Sequence, residues 1–184
     1  MKYFISDIHF FDAGIIEYCD RPFASVGEMN DALVEKFNAK VDGKGEIYVL
    51  GDIMGMNCAF DKRGECSALL ERMGIRNPAT PFHLILGNHD IYPEADYIAM
   101  GFVSADKITR VKIGDMTAML THDPCMIQPK NTLAICGHIH TLFKEIYNEE
   151  RNTLTINVSV EERKYEPVSE AEILKIIGGT KYAI

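Results

Sequence analysis

Phe82-His83-Leu84-Ile85-Leu86-Gly87-Asn88-His89-Asp90 runs from an apolar segment straight into a turn that carries a carboxamide, an imidazole and a carboxylate. A short run that is apolar without alternation reads as a strand covered on both faces, the mark of a largely parallel sheet wrapped by helices. Two earlier segments repeat the pattern: about Lys2 to Ser6 ahead of Asp7-Ile8-His9, and Glu46 to Leu50 ahead of Gly51-Asp52. Between these two, Ser25 and Glu28 form a capping box before Met29, Leu33 and Phe37, and Val41-Asp42-Gly43 stops the helix. A second helix is expected from about Cys66 to Met73, ended by Gly74. Strand, helix, strand in this order predicts a wound α/β sheet.

The second half changes character. Val111 to Ile113 and Thr117 to Leu120 flank Gly114-Asp115, and Phe143 to Tyr147 and Leu154 to Val158 flank a Glu149-Glu150-Arg151-Asn152 turn, so both read as hairpins and this half as more antiparallel. Ser169 with Glu172 starts a last helix through Ile173, Ile176 and Ile177, closed by Gly178-Gly179. No linker, repeat or low-complexity segment interrupts the 184 residues, which are read as a single domain over 1–184.

Composition narrows the function classes. With 47% hydrophobic and 25% charged residues the chain is neither disordered nor fibrous. A net charge of -8 argues against general affinity for long nucleic acids or anionic membranes, which want clustered Lys and Arg. No stretch reaches the roughly 20 apolar residues of a membrane helix, and Met1-Lys2 leads into a core strand with no secretory leader pattern. A soluble, cytoplasmic protein is expected. The five cysteines, Cys19, Cys58, Cys66, Cys125 and Cys136, contain no C-x-x-C pair and read as reduced thiols. Cys58 and Cys66, placed in a Gly-rich loop, and Cys125 and Cys136, near the histidine motifs, read as small buried residues rather than metal ligands.

The chemistry gathers where strands stop, because side chains just past the carboxyl ends of neighbouring strands converge in one crevice. Five of the six histidines fall in such turns: Asp7-Ile8-His9, Gly87-Asn88-His89-Asp90, Thr121-His122 and Gly137-His138-Ile139-His140, with Gly51-Asp52 alongside. Asp7 and His9, two apart at a strand end, point to the same side and can grip one ion, and His138 with His140 repeats that spacing. Singly, each motif has a bland reading as turn chemistry, but Asn, His and Asp rarely crowd together for packing. His83 is the contrasting case, since it sits inside its strand and reads as structural.

The ordered series D-x-H, G-D, G-N-H-[DE], a later histidine and G-H-x-H resembles the calcineurin-like metallophosphoesterases over nearly the whole chain. Phe4 to Phe10, the Tyr18-Cys19-Asp20-Arg21-Pro22-Phe23 segment and Asn157-Val158-Ser159-Val160 look like a compact bacterial and phage branch of it. The resemblance implies an α/β fold of four layers, α/β/β/α, with two mixed sheets flanked by helices. It further implies that Asp7, His9 and His140 hold one divalent metal, that Asn88, His122 and His138 hold a second, and that Asp52 bridges them. Ligands of this mixed N and O kind suit Mn, Fe, Zn, Ni or Co. Two such cations outweigh Asp7, Asp52 and a bridging hydroxide, which leaves a positive pocket for phosphate in an acidic protein.

The activity implied is hydrolysis of a phosphomonoester or phosphodiester, on a small molecule or nucleotide, by a hydroxide bridging metals roughly 3.5 to 4 Å apart. His89 would protonate the leaving oxygen, with Asp90 holding its ring and favouring its charged form; Asp90 alternatively caps a turn. Asn88 and Arg21 are candidate substrate contacts, Arg21 as a guanidinium fork on phosphate or else as a surface salt bridge to Asp20 or Glu17. Phe10 and Phe11 read as core, or as an apolar lip for an aryl group. Two other classes stand beside this reading: a non-catalytic protein-binding scaffold of the same fold, and a nuclease acting on short oligonucleotides. A complete ligand set with His89 retained speaks against the scaffold.

Overall fold

The computed structural model describes residues 1–181 except 42, 57, 58, 129 and 131, with the side chains of 59–61 also left aside. Among the described residues, ten strands form two sheets. The first contains β1 (Lys2–Ile5), β2 (Glu46–Val49), β3 (Phe82–Ile85), β4 (Ser104–Asp106) and β10 (Val168–Ser169), in the order β10-β1-β2-β3-β4. β1 to β4 run parallel and β10 pairs antiparallel with β1. The second contains β5 (Ile108–Ile113), β6 (Met116–Thr121), β7 (Leu133–Cys136), β8 (Glu145–Asn148) and β9 (Thr153–Asn157), in the order β5-β6-β7-β9-β8. Here β5-β6 and β8-β9 are the two antiparallel hairpins read from sequence, while β6-β7 and β7-β9 are parallel. The second half is therefore mixed, and more antiparallel than the first, as its sequence implies.

Alternation along the strands explains the layering. Tyr3, Ile5, Ile47, Val49, Phe82 and Leu84 face helices α2 (Val26–Lys40) and α3 (Ala59–Arg72), packing on Met29, Leu33, Phe37 and Leu70. Phe4, Tyr48, Leu50 and Ile85 point the other way, onto Ile113, Leu120, Ile135, Leu154 and Ile156 of the second sheet. Both faces of β1, β2 and β3 are thus covered, which is why these strands are apolar throughout. The result is an α/β fold of two mixed sheets flanked by helices. Helix α5 (Glu170–Gly178) carries Ile173 into the core between the sheets, behind a complete capping box of Ser169 and Glu172.

Several local readings shift. Ser25 accepts from the Glu28 amide, but the Glu28 carboxylate takes the amide of Ala24 rather than closing the box on Ser25. Of the stop signal after α2, Val41 is the cap and Asp42 lies outside the described residues. Helix α3 starts seven residues before Cys66, at Ala59, because Gly64 is tolerated inside it. Cys66 is thus a buried helix residue, not a loop thiol, and Cys58 lies outside the described residues. Cys136 is buried as expected, whereas Cys125 is exposed in a short turn whose amide is held by Asp123. The short helices α1 (Ala13–Tyr18) and α4 (Glu94–Met100) are too brief to show helical periodicity in sequence.

Candidate metal and phosphate site

Five parallel strands end at the same place. Asp7 and His9 follow β1, Asp52 follows β2, Asn88 and His89 follow β3, His122 follows β6, and His138 and His140 follow β7. Backbone pairing continues past the strands: the Asp7 amide donates to Gly51 O, the His9 amide to Asp52 O, and the Gly137 amide to His122 O. The loops are therefore locked in register, and the side chains meet.

They meet on strained backbone. Asp7, His9, Asp52, His138 and His140 have φ of 58°, 52°, 55°, 73° and 44°, the left-handed region that costs a non-glycine residue about 1–3 kcal/mol. Neighbouring glycines make room. A Cβ on Gly137 would collide with Ser6 Oγ and lie 2.6 Å from Asp7 Oδ2; one on Gly87 would collide with Asp52 Oδ1. The Gly-His and Gly-Asn dipeptides thus keep a side chain out of the space the carboxylates occupy.

Asp7, His9 and His140 offer ligand atoms within 4.8 Å of one another, and Asp52, His122 and His138 do the same. Asn88 Oδ1 lies 3.0 Å from His122 Nε2, so it borders the second group. Asp52 Oδ2 sits between the groups, 3.6 Å from His9 Nε2 and 3.3 Å from His122 Nε2. Asp7, His9, Asp52 and His122 form a buried floor, and Asn88 and His138 an exposed rim.

The donor chemistry fits a cation. His9 Nδ1 is 3.2 Å from the Asp12 carboxylate, and its buried Nε2, with no hydrogen-bond partner, lies 3.6 Å from Asp52 Oδ2, where a cation between them would satisfy both. His122 Nδ1 donates to Leu50 O at 2.6 Å and His140 Nδ1 donates to Glu161 at 3.0 Å, which orients both rings; His122 Nε2 faces Asn88 Oδ1 and Asp52 Oδ2. Burial pushes the Asp52 carboxyl up, but the hydrogen bond and charge of His122 outweigh it and hold the group at about 2. Burial pulls both rings down, yet Asp52 and Asp7 raise His122 to about 9, and Cys19, Glu161 and Asp7 raise His140 to about 10. The pocket favours positive charge at both positions.

Two expectations are corrected. Arg21 does not reach into the cavity or pair with Asp20 or Glu17; it is buried beneath the site, with Nε and Nη2 donating to Glu161 Oε1, Nη1 to Ile8 O and Nη2 to Asp7 O. Asp90 does not hold the His89 ring. Its carboxylate accepts from the amides of Gly87, Asp52 and Ile53, tying the β2 and β3 turns together. His89 instead accepts at Nδ1 from the Met56 amide, and burial lowers its pKa against the pull of Asp52. The Met56 amide thus occupies Nδ1 and leaves Nε2 to carry a ring proton. Of the two phenylalanines, Phe10 is fully buried and Phe11 packs on the core, so neither forms a lip.

Other participants were hidden in sequence. Asp12 supports His9, and Glu161 joins Arg21 to His140. Ser159 Oγ lies 2.7 Å from Asp7 Oδ2 and 2.6 Å from Asn157 Oδ1, while Asn157 Nδ2 donates to His140 O. Their signal was the Asn157 to Val160 segment, which sequence singles out without a role. His83 stacks on Tyr48 at 4.8 Å and bonds Ser104, a structural histidine in the first sheet.

Fold and site define a class: a two-sheet α/β protein with clustered carboxylate and imidazole donors at the carboxyl ends of parallel strands. The chain belongs to the calcineurin-like phosphoesterase family, whose sequence pattern matches residues 3–115. It is 36% identical over 180 residues to an uncharacterized protein of Methanocaldococcus jannaschii, covering 95% of this chain and 90% of that one. The crystal structure of a protein of unknown function from Aquifex aeolicus has the same fold, with a TM-score of 0.71, 22% identity and coverage of 96% and 99%. Pseudomonas putida nuclease MPE superposes with a TM-score of 0.52, 21% identity and coverage of 82% and 65%. Among the described residues no helix is long and apolar enough to cross a membrane.

Proposed function

We propose that this chain is a metal-dependent phosphoesterase that hydrolyses a small phosphate ester or nucleotide with two divalent transition-metal ions. The observation that carries the reading is the position of Asp52 Oδ2 between His9 Nε2 and His122 Nε2, where one carboxylate serves both donor groups. Asp7, His9 and His140 would hold one ion, Asn88, His122 and His138 the other, and Asp52 both. Mn, Fe, Zn, Ni and Co all suit these donors. When bound, the ions supply Lewis acidity toward the phosphoryl oxygens and activation of water.

The remaining work falls to the protein. Arg21, Ser159 and the His138 amide fix the Asp7 segment through its carbonyl and carboxylate. Glu161 and Leu50 O set the His140 and His122 rings. Asn88 on the rim turns its carboxamide toward incoming phosphate. His89, held at Nδ1 by the Met56 amide, would present Nε2–H to the leaving oxygen. The acidic surface disfavours long polymers, which leaves small esters and short oligomers as substrates.

The test is turnover of bis(p-nitrophenyl) phosphate, p-nitrophenyl phosphate and a nucleotide panel by metal-replete wild type, His89→Ala and Asp52→Asn, beside metal analysis. About two ions per chain and loss of rate in both variants are expected. No turnover by wild type, or variants equal to it, would overturn the reading in favour of a scaffold.

A further inference from the structure

Two cavities open on the donor cluster, one on either side of Asn88 and His138, which line both. The first, about 420 Å³, has His9, Asp52 and His89 within it and Tyr18 on its wall. The second, about 370 Å³, is bounded by Lys107, Asp123 and Met126. Each is large enough for a nucleoside-sized group. A phosphomonoester has one arm beyond phosphorus and fills one lobe; a phosphodiester has two.

The lobes differ in chemistry. Tyr18 ends α1 and is 82% exposed, with its ring edge-on to His140 at 6.2 Å between centroids. An aromatic ring left in water at the wall of a polar cavity has no packing role, and its free face suits a planar group. Lys107 is the single residue between β4 and β5, where the chain crosses from one sheet to the other. Its exposed ammonium has no ion-pair or hydrogen-bond partner among the described residues, in a chain of net charge -8. Asp123 in the same lobe offers an acceptor to a hydroxyl. Since His89 lies in the Tyr18 lobe, the arm held there is the one positioned to depart.

Resting on the phosphoesterase reading, we propose that the substrate is a phosphodiester with its phosphorus near Asn88 and His138, a nucleoside arm on Tyr18 and a second phosphorylated arm on Lys107. Water adds its oxygen to phosphorus and the P–O bond to the Tyr18 arm breaks. One water proton ends on that departing alcohol and the other passes to solvent. The retained product carries two phosphates.

The test uses full-length, metal-replete protein and thymidylyl-thymidine with and without a 5′-phosphate, p-nitrophenyl phosphate serving as monoester. The phosphorylated dinucleotide is expected to give thymidine and thymidine 3′,5′-bisphosphate. Tyr18→Ala should raise KM about tenfold for both dinucleotides, with Tyr18→Phe restoring it. Lys107→Ala should raise KM at least about threefold for the phosphorylated dinucleotide alone, with Lys107→Arg restoring it. Calorimetric binding of the bisphosphate, which needs no turnover, should weaken in Lys107→Ala and stay at the wild-type value in Tyr18→Ala, whose arm has departed. If the monoester is the better substrate, if two thymidine 5′-monophosphates form, or if neither variant discriminates, the two-armed substrate is wrong and the phosphoesterase reading stands. If wild type turns over no ester, both fall.

Discussion

Arg21 Nη2 donates to Glu161 Oε1 at 2.6 Å with neither side chain more than 3% exposed, and that same carboxylate oxygen takes the Nδ1 proton of His140. Burial raises the Glu161 carboxyl, but His140 and Arg21 overcome it and hold the group at about 2. One ion pair therefore orients a candidate metal ligand and, through Arg21 and the Asp7 carbonyl, the left-handed turn that carries another.

Removing one partner of a buried pair leaves the other charge uncompensated, which costs about 3–5 kcal/mol. Arg21→Ala is expected to lower stability by that amount in urea unfolding. Glu161→Gln should lower metal affinity by about 10- to 100-fold, since the ring of His140 loses its carboxylate support. A loss below about 1 kcal/mol for Arg21→Ala, within the range of surface ion pairs, would show the pair to be peripheral.

Gly137→Ala tests the crowding behind the site. The added methyl meets Ser6 Oγ and Asp7 Oδ2, so either the β7 turn or Asp7 must move. Metal content is expected to fall toward zero while far-UV circular dichroism keeps the wild-type spectrum. Gly178→Ala is the control, because nothing lies within 4 Å of a Cβ there. Normal metal loading of Gly137→Ala would mean that the turn relaxes without cost.

His83 supplies a pH dependence remote from the site. Burial lowers its pKa below the ordinary 6.5, against the opposing charges of Glu46 and Asp106. The folded state then binds fewer protons than the unfolded state once pH drops below about 6.5, so this histidine withdraws stability as pH falls and contributes nothing above that. His83→Phe, which keeps the stack on Tyr48, should flatten the decline in stability between about pH 7 and about pH 5.5. Parallel wild-type and variant profiles would remove His83 as the cause.

What sequence reveals and what it hides follow from contact distance along the chain. Asp7, His9, Asp52, Asn88, His122, His138 and His140 are each announced locally, by an apolar strand that stops at a polar turn, and parallel pairing then brings the stops together. Arg21 misleads because its neighbours Asp20 and Glu17 are obvious partners, whereas its real partner is 140 positions away. Ser159 is likewise 152 positions from Asp7. Asp90 misleads in another way: a carboxylate beside a histidine suggests a dyad, but turn amides compete for it and win all three contacts. Helix α3 outruns its expected start because tertiary packing of Leu69 and Leu70 overrides the weak local signal of Gly64.

The Met56 contact of His89 makes a final prediction about leaving groups. With Nδ1 taking the Met56 amide, the imidazole offers a proton at Nε2, and Asp52 and Asp12 pull against the burial that lowers its pKa. Such a group matters little when the departing oxygen is already stable as an anion, as in p-nitrophenolate. It matters greatly for an alkoxide. His89→Ala is therefore expected to slow hydrolysis of alkyl or nucleoside esters by about 10²- to 10⁴-fold and that of p-nitrophenyl esters far less. A plot of log kcat against leaving-group pKa should be steeper for the variant than for wild type. Equal slopes would assign His89 to binding the phosphoryl group instead of assisting departure.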